Sequence, residues 1–164
     1  MRYVREIIII AHNIRSTYNV GSIFRTAEGF GVQKIILSGY TPYPELTDDS
    51  RLPHIREKLT SQIHKTALGA ETMVPFEYQP ELHLDDVKRQ GYRLLALEQA
   101  PESIPLQRYQ PPANLALLIG EEVHGIEENL LTQCDDIIEI AMHGRKESFN
   151  VSVATGIALY QLTI

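Results

Sequence analysis

A chain of 164 residues is long enough to bury one sizeable core, and is read as a single domain over 1–164. Its 43% hydrophobic and 22% charged residues are those of an ordinary globular protein, and no apolar run approaches the roughly eighteen residues of a membrane span. The net charge of −6 argues against a general nucleic-acid binder, and the lone Cys134 excludes an intrachain disulfide or a thiolate zinc site. The start, "MRYVREIIII", is basic then apolar but carries no small-residue cleavage site, so it reads as a first strand. A cytoplasmic protein with no membrane partner is expected. The charge is unevenly spread: residues 1–65 hold nine Lys/Arg against six Asp/Glu, and residues 66–164 six against fifteen. Arg2, Arg5, Arg15, Arg25 and Arg51 fall in the first third, a local surface for an anionic partner or simply a solvated face.

In chain order, "EIIIIA" is a strand of the fully buried type. "NVGSIFRTAEGFG" sets Val20, Ile23, Phe24, Ala27 and Phe30 at helical spacing, with Gly31 where a C-terminal cap belongs. "QKIILSG" is the next strand, and the loop "YTPYPELTDDS" leads to a helix over "REKLTSQIHKTA". "TMVPF" reads as a strand and Leu82–Gln90 as a short helix stopped by Gly91. "YRLLALE", "NLALLIG" and "DIIEIAM" are three more strands, with a short helix around "GIEENLLTQ" between the last two. "APESIPLQRYQPP" reads as a loop. The final "KESFNVSVATGIALYQL" forms a last helix capped by Ser148 or Asn150 and amphipathic at best. Strands alternating with helices predict an α/β fold: a mostly parallel sheet with helices on both faces.

Three polar clusters lie at the edges of these elements. The first holds Asn19 and Arg25, six positions apart and therefore off one stripe, unless Asn19 sits at the irregular helix start. It does not match G-x-G-x-x-G, so a dinucleotide loop is rejected. The second, "LALLIGEEVHGI", ends a buried strand at Gly120, followed by Glu121 and Glu122; ligands of parallel sheets bind beyond such strand ends. His124 has no second histidine at ligand spacing, so no metal is expected. The third cluster is "SFN", with more polar residues than a helix cap needs. No G-x-S-x-G elbow, P-loop or C-x-x-C occurs, leaving hydrolase, kinase and thiol chemistry unsupported.

Together the clusters resemble the three motifs of the SpoU (TrmH-like) class of SPOUT RNA ribose 2′-O-methyltransferases. "NVGSIFRTAEGFGV" is similar to motif 1, "LLIGEEVHGI" to motif 2 and "IEIAMHGRKESFNVSVATGIALYQL" to motif 3, in order over nearly the whole chain. The resemblance implies S-adenosyl-L-methionine-dependent 2′-O-methylation of a ribose in a structured RNA, tRNA or rRNA. It also implies a C-terminal deep trefoil knot within about 94–164, and a homodimer whose site borrows residues from the neighbouring subunit. By resemblance the cofactor is held at Leu97, Gly120, Ile140, Met142, Ser148 and Phe149, largely through backbone, and no metal takes part. The catalytic set is Asn19, Arg25, Glu122, Ser148 and Asn150. The family's usual assignment makes the arginine a general base. A guanidinium rarely loses its proton, so electrostatic stabilisation of the developing alkoxide suits Arg25 better.

Two departures are visible: Ala141 where the family usually has proline, and Phe149 where leucine is usual. No appended RNA-binding domain is expected. Two other readings share the fold. A non-catalytic RNA-binding module would be signalled by loss of Arg25, Glu122 or Asn150, and all three are present. A knotted base-nitrogen methyltransferase would carry a different polar set in motifs 1 and 3.

Overall fold

The structure, a computed structural model, describes residues 4–164. Arg2, one of the arginines of the first third, lies outside the described residues.

Strand β1 (Glu6–His12) is flanked by β2 (Lys34–Ser38) and β6 (Asn114–Ile119). β3 (Phe76–Gln79) pairs outside β2. On the other side β4 (Arg93–Leu97), β7 (Asp136–Glu139) and β5 (Ile104–Pro105) follow β6, giving the order β3-β2-β1-β6-β4-β7-β5 with every pairing parallel. Helices α1 (Thr17–Gly29), α2 (Pro53–Ala67) and α5 (Val151–Thr163) cover one face. α3 (Leu84–Arg89) and α4 (Glu128–Leu131) cover the other. The run Ile7–Ile10 is unbroken because both faces are dry: Ile7 and Ile9 pack under α1 and α5, Ile8 and Ile10 under α3 and α4. The expected α/β class and two-sided helical cover are what the chain adopts.

The chain lays β1, β2 and β3 outward, then crosses to build the other half, so the strand order reverses between β1 and β6. In open parallel sheets the carboxyl ends at such a reversal form a crevice. Motifs 1 and 2 both leave strands there.

Three elements differ from the sequence reading. "TMVPF" is not the strand: Ala70–Thr72 make a 3₁₀ turn, and pairing with β2 starts only at Pro75, whose carbonyl accepts from the Ile35 N–H at 2.9 Å. The Pro-rich loop after β4 contains β5, where Pro105 is tolerated because the strand lies on the sheet edge. The last helix is apolar on two faces. Ala158, Leu159 and Leu162 are buried, while Val153, Ile157, Tyr160 and Ile164, spaced i, i+4, i+7, i+11, form an exposed stripe. Gly31 follows the helix end in the left-handed region, φ 68°, as expected.

Candidate active site

Ser16 ends the β1–α1 turn and caps α1, its Oγ accepting from the Asn19 N–H at 3.2 Å. Asn19 is thus inside the helix, and its side chain is free for another role. Glu122, three residues beyond β6, reaches across to the same helix start. Its Oε2 accepts from the Arg15 N–H at 3.2 Å, and its Oε1 from the Ser16 N–H at 3.4 Å and Asn19 Nδ2 at 3.2 Å. A carboxylate there meets the positive end of the α1 dipole. Asn150 caps α5, its Oδ1 accepting from the Ser152 and Val153 N–H groups at 2.9 and 3.3 Å. That fixes the Asn150 amide so that Nδ2 donates to Asn19 Oδ1 at 3.1 Å, leaving Asn19 Nδ2 to donate to Glu122. One hydrogen-bonded chain, Asn150–Asn19–Glu122, therefore joins all three sequence clusters. The surplus of polar residues in "SFN" is explained: Asn150 serves cap and chain at once.

Beside this chain lies a cavity of about 350 Å³ beyond the carboxyl ends of β4, β6 and β7. Leu97, Gly120, Ile140, Ser148, Phe149 and Glu122 line it; Met142 does not. Gly120 is required by packing, since a Cβ there would sit 2.6 Å from Ile126 Cγ1 and 2.9 Å from the Gly125 carbonyl. Glu98 holds the opposite wall, its Oε2 accepting from the Ile126 N–H at 3.0 Å. Gln99 Nε2 donates to the Glu147 carbonyl at 2.9 Å, tying the loop after β4 to the segment before α5. Glu98 and Gln99 were not singled out from sequence, although a polar pair directly after the buried strand "RLLAL" was the available signal. Glu121 is nearly buried, and the His124 N–H, with the Val123 N–H and the Arg15 guanidinium, holds its carboxyl below the usual range.

Arg25 is separate. It is exposed on α1, about 9 Å along the axis and about 120° around it from Asn19, and the two do not converge within one chain. Most other first-third arginines are tied down internally. Arg5 Nη1 donates to the Ile164 carbonyl at 2.9 Å, Arg15 lies 3.4 Å from Glu121, and Arg51 chelates Asp49. Among the described residues no three His, Cys, Asp or Glu side chains cluster closely enough to hold a metal ion. No described helix is long and apolar enough to cross a membrane.

Residues 6–160 match the SpoU rRNA Methylase family. The chain belongs to that family. It is 27% identical to a tRNA (guanosine(18)-2′-O)-methyltransferase of Aquifex aeolicus, over 96% of this chain and 68% of that protein. It is likewise 27% identical to a 23S rRNA (guanosine-2′-O-)-methyltransferase of Coxiella burnetii, over 98% of this chain and 59% of that one. A mouse relative of equal identity, a tRNA (guanosine(18)-2′-O)-methyltransferase, is far longer: the chain spans 9% of it. In fold the SpoU chain is similar to an AdoMet-bound rRNA methyltransferase from Sinorhizobium meliloti, with TM-score 0.77, 24% identity and coverage of 98% and 57%.

Proposed function

We propose that this SpoU chain is an S-adenosyl-L-methionine-dependent RNA methyltransferase acting on a ribose 2′-hydroxyl of a structured RNA, tRNA or rRNA. The observation that carries it is the Asn150–Asn19–Glu122 chain beside a strand-end cavity. The names of the relatives point the same way. The cavity fits the cofactor chemically. Leu97, Ile140 and Phe149 offer a flat apolar slot, strand-end backbone offers edge hydrogen bonds, and Glu98, Glu121 and Glu122 supply negative charge for a cationic ligand. When bound, S-adenosylmethionine supplies a methyl group already activated by its positive sulfur, and no metal is required.

Alignment is the main task left to the protein. Asn19, Glu122, Ser148 and Asn150 position the ribose, Asn19 and Asn150 being fixed to each other and to both helix starts. Arg25 stabilises charge on the 2′-oxygen. Because Arg25 points away from its own chain's Asn19, it acts on the site of a second copy in a homodimer. The exposed stripe Val153, Ile157 and Tyr160 supports that dimer, bordering an apolar groove of about 650 Å³ shared with Ser22 and Thr26 of α1. The residues proposed for the knot, about 94–164, hold the cavity loops. The protein works in the cytoplasm on this reading, with residues 1–164 forming one domain.

The test is mass spectrometry of tRNA and rRNA nucleosides from a deletion strain. One 2′-O-methylnucleoside should disappear. A missing base-methylated nucleoside would instead indicate nitrogen chemistry, and an unchanged profile a non-catalytic RNA binder. For the dimer, light scattering at micromolar concentration should give twice the 18.6 kDa chain mass, and the single mass for Ile157→Glu. A native chain active as a strict monomer would contradict it.

A further inference from the structure

On the other side of Arg15 from the cofactor cavity, a second cleft of about 580 Å³ opens between α1, α2 and the loop after β2. Its base is rigid. Tyr43 and Tyr78 stack with centroids 3.9 Å apart and planes 16° from parallel, and the Arg51 guanidinium lies 3.6 Å from the Tyr43 centroid. Asp49 holds that guanidinium through Nε at 2.9 Å and Nη2 at 2.6 Å, and the Tyr43 carbonyl accepts from Nη1 at 3.0 Å. Two further rings, Tyr18 and Tyr40, line the same cleft but remain 48% and 54% exposed.

We propose that this cleft is a nucleobase subsite, which seats a base neighbouring the methylated nucleotide by stacking it on Tyr18 and Tyr40. The inference rests on the RNA-methyltransferase reading given above. Three observations converge on it. The cleft starts where the catalytic chain ends, because Arg15 and Ser16, which line the cleft, donate their backbone N–H groups to Glu122. A nucleotide joined to the target ribose therefore has the cleft within reach. The chemistry suits a base: exposed aromatic planes take either face of any base, and Thr17 and Gln62 provide donors and acceptors for its edge. The charge explains why stacking is needed. The chain carries −6, and the two arginines that line the cleft, Arg15 and Arg51, face Glu121 and Asp49, so the cleft itself offers little free positive charge to phosphate.

The experiment compares the native protein with Tyr18→Ala/Tyr40→Ala and Tyr18→Phe/Tyr40→Phe double variants. Labelled methyl transfer is measured to total RNA from the deletion strain, with S-adenosylmethionine affinity measured in parallel. The alanine pair should raise the RNA KM about tenfold or more, with cofactor affinity within about twofold, and the phenylalanine pair should recover most of the loss. An unchanged KM for the alanine pair beside an active native enzyme overturns the subsite and leaves the methyltransferase reading standing. If the native protein transfers no methyl at all, that reading fails by itself. Ring signals of Tyr18 and Tyr40 titrated with random-sequence RNA hexamers then decide the subsite. Ring-current shifts absent with inorganic polyphosphate uphold it; equal or no shifts overturn it.

Discussion

Arg25→Ala should lower methyl transfer by about two orders of magnitude or more while leaving S-adenosylmethionine affinity nearly intact. The position of the side chain motivates both halves of that result. Arg25 is exposed, has no ion pair among the described residues, and does not line the cofactor cavity of its own chain. Its removal therefore cannot disturb the cofactor walls, Leu97, Gly120 and Ile140. If it stabilises the developing charge at the 2′-oxygen, the loss appears in the chemical step. Arg25→Lys should recover only part of the rate, because an ammonium cannot make the planar two-pronged contact that a guanidinium makes with phosphate. A merely solvated helix arginine would give a stability change within about 0.5 kcal/mol and no change in rate. Single-turnover methylation separates the two, and an unchanged rate for the alanine variant removes Arg25 from the mechanism. A mixed dimer sharpens it further. Arg25→Ala paired with Asn150→Ala should retain one working site if the arginine acts across the interface, and none if it acts within its own chain.

What the sequence made legible is what local physics dictates. The run Ile7–Ile10 announces a strand buried on both faces, and Gly31 announces the end of α1, since each signal lies within a few residues of its effect. The three polar clusters were also legible as strand-end groups. Their connection was not, because Asn19 and Glu122 lie 103 positions apart and Asn19 and Asn150 lie 131 apart, distances that only the fold closes. β5 was hidden because two residues with a proline carry no periodicity. The second apolar face of α5 was present in the composition, but it blurs the contrast on which an amphipathic pattern depends. The arginine excess was legible only as a count, for a related reason. A count of charges does not show which are already answered, and Arg5 caps the carbonyls at the end of α5 more than 150 positions away.

Gly120→Ala should lower S-adenosylmethionine affinity at least about tenfold and destabilise the chain by about 1–3 kcal/mol, the scale of overpacking. Gly120 follows β6 directly, and the added methyl would stand 2.6 Å from Ile126 Cγ1 and 2.9 Å from both carbonyl atoms of Gly125. Backbone cannot swing aside as the end of a flexible side chain can. Nor can the turn retreat freely: the Ile126 N–H is held by Glu98, and Gly125 is in the left-handed region at φ 72° with Glu98 against its α-carbon. The 121–126 turn must therefore shift as a unit, carrying Glu121 and Glu122 away from Arg15 and Asn19. Gly144→Ala is the control, because the same methyl in the loop before α5 meets nothing within 4 Å and should change affinity by less than about twofold. Calorimetry in the presence of a chelator measures both variants and the native chain. The native chain should bind about one S-adenosylmethionine per chain; binding that vanished on chelation would show that a metal takes part after all. Equal affinity for Gly120→Ala and the native chain would place the cofactor outside the cavity, because no ligand seated against the end of β6 can ignore a displaced 121–126 turn.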